Sequence, residues 1–381
     1  MKRIEYIDAL RGLSMVLVVL AHVFLFMSPH HWDGSPLAAI FMSFRMPLFF
    51  FVSGFFAYRA VEKWTLSLTR GLVVRKTRAQ ILCSLVFFSL YQWMQHLPFS
   101  DLWEKGFGFF WFTIALFQMW GVYVGLSLLS NKTGRNFIDI PLCVLILASV
   151  IFGTTQFGFT AWKMFSWHQV ILNFQFFAVG LLARRHSYKF EKIVDNDMFR
   201  TVVIVLFFVG CFLFYNHNYH YPKELWPYIQ QEVLHRFTGL FTVLILFRSC
   251  ADYFAGNAAP ARFLKYTGKR TLDVYMLHIF FVPKLTHFAA LFAPTSMAVP
   301  KLMFGLFFAL AVVGICLLVS RVIRSSSFLE VWLFGVRPKA KVADVRISSD
   351  ALERFGQEHP EPAATLIKKD RQTAENTHTL S

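Results

Sequence analysis

Residues 7–24 read IDALRGLSMVLVVLAHVF, an apolar run with two basic side chains in it, Arg11 near its start and His22 deep inside. Over a step of eleven residues an α-helix turns through about 1100°, within roughly 20° of three full turns, and rises about 16 Å. Both side chains therefore share one face. A guanidinium at the membrane surface and an imidazole about half a bilayer deeper form a line along which an extended anionic ligand can lie. Asp8, three residues before Arg11, is placed to orient it as an i,i+3 pair. Lys2 and Arg3 ahead of the apolar run imitate a secretory leader, but charge continues to Arg11 and no small-residue cleavage site follows, so the segment is expected to stay as a helix.

The composition extends that reading to the whole chain. Of 381 residues 56% are hydrophobic and 18% aromatic, only 16% are charged, and the mean hydropathy is +0.49. A typical soluble domain carries about a quarter charged residues. The chain is expected to be all-α, a polytopic membrane bundle. Apolar windows recur at 12–28, 37–58, 80–98, 107–129, 137–153, 167–183, 201–215, 233–247, 271–292 and 298–320, which predicts about ten transmembrane helices. The formal charge of +16 is then a matter of topology, and no nucleic-acid partner is expected. With the N-terminus in the cytoplasm, 31 of the 38 Lys and Arg residues fall in cytoplasmic segments, which places both termini inside. The bilayer is the expected environment, and the sequence says nothing of oligomeric state.

The predicted outside loops are short and aromatic, with His30, His31 and Trp32 in 29–36 and, after Tyr215, a cluster from His217 to Tyr228 in 216–232. Such rings serve as an interfacial belt, and they can also stack on sugar faces. Residues 1–336 are expected to form one membrane domain and residues 337–381, polar and without apolar period, a disordered cytoplasmic tail. The cysteines (Cys83, Cys143, Cys211, Cys250 and Cys316) show no CxxC spacing and are odd in number, so neither a disulfide framework nor a thiolate metal site is expected. HExxH, GxSxG and GxxxxGK[ST] are all missing, which removes zinc hydrolases, serine hydrolases and P-loop ATPases.

An imidazole inside a span is costly and tends to face a protein interior or a water cavity. One reading of His22 is helix packing; the other is a base that takes a hydroxyl proton as that oxygen attacks a carbonyl, or a nucleophile that carries the acyl group itself. Arg11, fork-shaped and always charged, suits phosphate oxygens at the cytoplasmic surface. In the second segment, MSFRMPLFFFVSGFFAYR, Arg45 is the one charge before Arg59 and sits beside Pro47, which frees backbone groups. It reads either as a snorkelling residue or as an anchor for a negative substrate group. Ser53 and Gly54 read as a close helix contact. FGFFWFTIALFQMW offers Trp111 and Gln118, and TLDVYMLHIFF offers Tyr275 and a second intramembrane imidazole, His278.

IDALRGLSMVLVVLAH, FRMPLFFFVSGFF, FWFTIALF, FAVGLLARR and TLDVYMLHIFF, in that order across residues 5–335, resemble the acyltransferase 3 family of integral membrane acyltransferases. The pair Arg11-x10-His22 matches that family's signature. SFRMPLFF and FLEVWLFGVRP look most similar to its glucan biosynthesis protein C-like members, which are thought to succinylate periplasmic glucans. The resemblance implies an enzyme of a bacterial inner membrane. It would move an acetyl or succinyl group from cytoplasmic acyl-CoA to a hydroxyl of an extracytoplasmic glycan, with no metal. It implies His22 and Asp8 as catalytic residues, Arg11 with Arg75 and Arg78 of the basic loop as donor-binding residues, and Arg45, Trp111 and His278 as substrate residues. Where the family often has His before the Trp-Phe of the fourth helix, this chain has Phe110, so no role passes to that position. The alternative is a transporter or flippase with His22 and His278 as proton relays, which predicts inverted repeats and discontinuous helices.

Overall fold

The computed structural model describes residues 4–27, 36–59, 64–132, 138–154, 165–216, 229–284 and 298–334. The tail from 337 and the aromatic loops around His30 and His220 lie outside the described residues. Every regular element among the described residues is helical. In chain order the principal helices are α1 (Glu5–Met27), α2 (Pro36–Ala57), α3 (Leu66–Lys76), α4 (Cys83–Met94), α5 (Trp111–Lys132), α6 (Asp139–Thr154) and α7 (Trp167–Arg185). They continue with α8 (Asp197–Asn216), α9 (Arg236–Ser249), α10 (Ala259–Lys269), α11 (Thr271–Phe281), α12 (Ala298–Ile323) and α13 (Ser327–Phe334).

By length and composition Glu5–Phe26, Gly108–Ser130 and Val299–Ile323 can each cross a bilayer. Ser187–Val194 with Asp197–Leu213, bent by 69°, adds a fourth if the pair is one span. Among the described residues that is fewer than the ten apolar windows, and two helices contribute to the difference. In α7 the buried polar residues Asn173 and Gln175 dilute the apolar character of an otherwise buried helix. In the window at 271–292 the described residues hold the eleven-residue helix α11, which stops just before Pro283.

α1 is the centre of the bundle, because its residues from Tyr6 to Phe24 are mostly buried on every side and it packs against α2, α10, α11 and α12. A helix this apolar all round belongs in the interior. Two close crossings set its surroundings. Gly12 of α1 and Gly268 of α10 face the Leu264 and Asp8 carbonyls, so that a Cβ on either would run into the opposing backbone. Gly54 of α2 and Gly180 of α7 face Phe177 and Phe51 in the same way. Small residues let helix backbones touch where the surrounding lipid gives no hydrophobic drive to associate. The outer faces of α8 and α12 are apolar and exposed, as Phe208, Phe212, Met303 and Leu318 show, which suits a lipid-facing surface.

Candidate active site

The last third of α1 meets the start of α5, the middle of α2 and the end of α11 around His22. A carbonyl oxygen only accepts hydrogen bonds, so the 2.9 Å contact between His22 Nδ1 and the Val18 carbonyl puts the ring hydrogen on Nδ1. The lone pair then sits on Nε2, the form required of a base. His22 opens into a cavity of about 210 Å³ that Arg45, Trp111, Asn173, Arg236 and Tyr275 also line.

Backbone breaks position several of these side chains. Gly106 and Gly108 take positive φ (74° and 50°), which only glycine adopts freely, and turn the chain into the short 3-10 turn Gly108–Phe110 that opens α5. Tyr275 holds that turn: its hydroxyl donates to the Phe109 carbonyl at 2.7 Å and accepts from the Phe112 amide at 3.1 Å. Trp111 is therefore fixed at the mouth of α5 by a side chain from α11. Arg236 follows a π-helical segment, Ile229–His235, a form found frequently at functional sites because it shifts the register of the side chains after it. Its guanidinium donates to Asn173 Oδ1 at 3.0 Å and lies 5.0 Å from the Phe176 ring. The Asn173 amide in turn donates to the Gln169 carbonyl at 2.9 Å.

Of the residues singled out from sequence, His22, Arg45, Trp111 and Tyr275 meet at the cavity. His278 does not line it. It stands behind His22, fully buried, with ring centroids 4.9 Å apart. Asp8 is buried at the crossing with α10. It lies fourteen residues from His22, about 21 Å along α1, so it is not part of the cavity. Sequence reasoning missed Arg236, Asn173 and Gln169. The signal was present: an arginine in the apolar window 233–247 is by default a site hypothesis, and Gln169 and Asn173 are an i,i+4 polar pair on an apolar helix.

On the same helix as His22 but three turns earlier, Arg11 lies with Cζ 5.5 Å from the Phe56 ring. Lys76, at the end of α3, gathers the other charges. Burial first, then the neighbouring guanidiniums of Arg11, Arg75 and Arg59, pushes its ammonium down to about 8. Its Nζ lies 5.5 Å from the Trp120 ring. Arg75 thus joins Arg11 in one basic cluster, whereas Arg78 is exposed and is not among the charges acting on Lys76. Among the described residues no group of three or more His, Cys, Asp or Glu is arranged to hold a metal ion.

Residues 4–321 match a family described as an acyltransferase domain. The chain belongs to the acyltransferase 3 family. It is therefore an enzyme that transfers acyl groups other than aminoacyl groups, and an integral membrane protein. The matched region takes in the basic cluster, the cavity and both imidazoles. No significant match was found among curated proteins or among solved structures.

Proposed function

We propose that this acyltransferase takes a short acyl group from acyl-CoA held on the cytoplasmic side and places it on a hydroxyl of an extracytoplasmic glycan. Its location would be a bacterial inner membrane. The observation that carries the reading is the cavity: an imidazole whose Nδ1 is bound to the Val18 carbonyl, leaving Nε2 for a proton, lines the same space as two guanidiniums, Arg45 and Arg236. The hydroxyl oxygen bonds to the thioester carbonyl while its proton goes to His22 Nε2. The C–S bond then breaks and His22 returns the proton to the leaving thiolate. Of the two cations, Arg45 stabilises the oxygen charge that develops at the carbonyl, more so in a site shut off from water, and Arg236 is left to meet the acyl group.

The donor's phosphates belong at the other end of the Arg11 to His22 face. Arg11, Arg59, Arg75 and Lys76 supply positive charge there, and Trp120 lies alongside Lys76 as a flat apolar surface. For the acyl group the cavity favours succinyl over acetyl. No Asp or Glu lines it among the described residues, and its volume is below that of a drug-sized pocket, so a short chain with a free carboxylate answers both its size and its charge. The likeness to glucan biosynthesis protein C-like members points the same way.

The test is transfer from radiolabelled acyl-CoA by purified parent and His22→Gln proteins. Loss of a positioned base lowers the rate by about 10² to 10⁴, with CoA binding retained. A His22→Gln protein that transfers at the parental rate returns His22 to helix packing.

A further inference from the structure

Tyr275 places one oxygen between two backbone groups at the entrance of α5, 2.7 Å from the Phe109 carbonyl and 3.1 Å from the Phe112 amide nitrogen. A hydroxyl has one hydrogen to give and lone pairs to receive with, so both bonds form together. The carbonyl lies two residues before Trp111 and the amide one residue after it, so this oxygen brackets Trp111 on the chain. Three residues that line the cavity, Phe109, Trp111 and Phe112, belong to the bracketed segment. The Phe112 amide is a first-turn donor of α5 with no acceptor inside its own helix, and Tyr275 caps it from α11.

The chain just before this bracket has little to fix it locally, because the positive φ angles of Gly106 and Gly108 belong to residues with wide conformational freedom. A phenylalanine at 275 would fill the same apolar space, and a buried hydroxyl is costly unless it is hydrogen-bonded. Here both of its bonds go to the wall that carries Trp111. The indole is half-buried, with the Phe50 and Phe112 rings at 6.2 and 5.9 Å. The cavity lies at the end of the bundle where α5, α7 and α9 begin and α1 ends, and Arg11 is about 16 Å away along α1. An acceptor that enters opposite the basic cluster therefore comes to this wall. An indole offers it a flat apolar body with one polar N–H, which suits the face of a pyranose ring.

We propose that Tyr275 is a positioning residue for the acceptor: its hydroxyl holds Trp111 where the indole packs against a sugar ring of the glycan. The inference rests on a glycan being the acceptor. The hydrogen of Tyr275 is committed to the Phe109 carbonyl, so the phenol takes no part in proton transfer. A stacked ring is held alike in the ground state and the transition state, so loss of the platform raises KM for the acceptor and leaves kcat in place.

The test is transfer from labelled succinyl-CoA to a glucose oligosaccharide by purified parent, Tyr275→Phe, Trp111→Ala and the double variant. Tyr275→Phe removes one oxygen and keeps the ring, 5.4 Å from that of Phe112. It should raise KM for the oligosaccharide about 10-fold, the worth of one hydrogen bond. Trp111→Ala should raise it at least as much, and the double variant no further than Trp111→Ala, since the hydroxyl acts only through that ring. KM for succinyl-CoA should stay at the parental value throughout. Gly108→Ala reaches the same turn from the other side: a Cβ there meets nothing within 4 Å, and only the positive φ opposes it. It should raise KM for the oligosaccharide as well, which keeps the role testable if Tyr275→Phe fails to fold. Effects that add in the double variant, a parental KM for the oligosaccharide in Tyr275→Phe or Gly108→Ala, or a loss confined to kcat or to succinyl-CoA binding overturn the proposal. A parent protein that succinylates glycerol but no oligosaccharide refutes the glycan acceptor itself; one that succinylates the oligosaccharide while the variant effects add refutes only the role of Tyr275.

Discussion

Removing the Asp273 carboxylate should loosen α11, the helix that carries both Tyr275 and His278. Asp273 is 1% exposed and holds three donors: Arg324 Nε and Nη2 at 2.7 and 2.8 Å on its two oxygens, and the Ser320 hydroxyl. Arg270 adds a weaker ion pair at 3.6 Å. Asp273→Ala leaves the largely buried Arg324 guanidinium without its bidentate partner, and breaking a buried pair from one side costs about 3–5 kcal/mol. Glu330 still accepts from Arg324 Nη1 at 2.7 Å, which puts the expected loss near the lower bound, about 3 kcal/mol or two decades in the unfolding constant. The assay is reversible unfolding in mixed micelles of increasing denaturing-detergent fraction. Asp273→Leu combined with Arg324→Met should lose less than Asp273→Ala alone, since no buried charge is then left unmatched. An Asp273→Ala protein within about 1 kcal/mol of the parent, or a double variant as costly as the two single changes added together, would show that this network does not hold α11.

Two further predictions concern the ligand. Lys76 is cationic below a value of about 8 and neutral above it, so the basic cluster loses a charge as the pH rises; the affinity for CoA should fall about 3- to 10-fold between pH 7 and pH 9, and Lys76→Met should flatten that dependence in a titration of CoA binding. Arg236→Gln should raise the ratio of acetyl to succinyl transfer in a competition between the two donors by about 10-fold or more, the worth of one hydrogen bond to a charged group, and an unchanged ratio would remove this arginine from acyl selection.

What the sequence made legible was the content of single helices. The eleven-residue step from Arg11 to His22 is intrinsic helix geometry, and it survives whatever α1 packs against. Gly54 reads correctly as a contact residue for a similar reason, since its small size has one use inside an apolar helix, and the structure sets it against the Phe177 backbone. Partnership between helices was not legible. His278 is an imidazole at membrane depth, and the family resemblance alone made it a substrate residue. Whether such a ring faces the cavity or the back of another ring depends on how α11 is rotated, and that rotation is set by Asp273, Arg324 and the hydroxyl of Tyr275.

Arg236 shows the same limit from the other side. In the sequence it is one cation in an apolar window, equivalent in kind to Arg45, and nothing local separates an arginine that snorkels to the surface from one that turns inward. Two other elements decide the matter: on α7 Asn173 accepts its hydrogen bond and Phe176 lies 5.0 Å from its guanidinium, and the π-helical segment before it sets its register. Asn173 is itself held by Gln169, so the orientation of the second cation is built from α7 and not from the helix that bears it. The consequence is specific. Asn173→Leu should move the acetyl-to-succinyl ratio in the same direction as Arg236→Gln, though the arginine is still present, because an unoriented guanidinium offers charge without the bidentate geometry that reads a carboxylate.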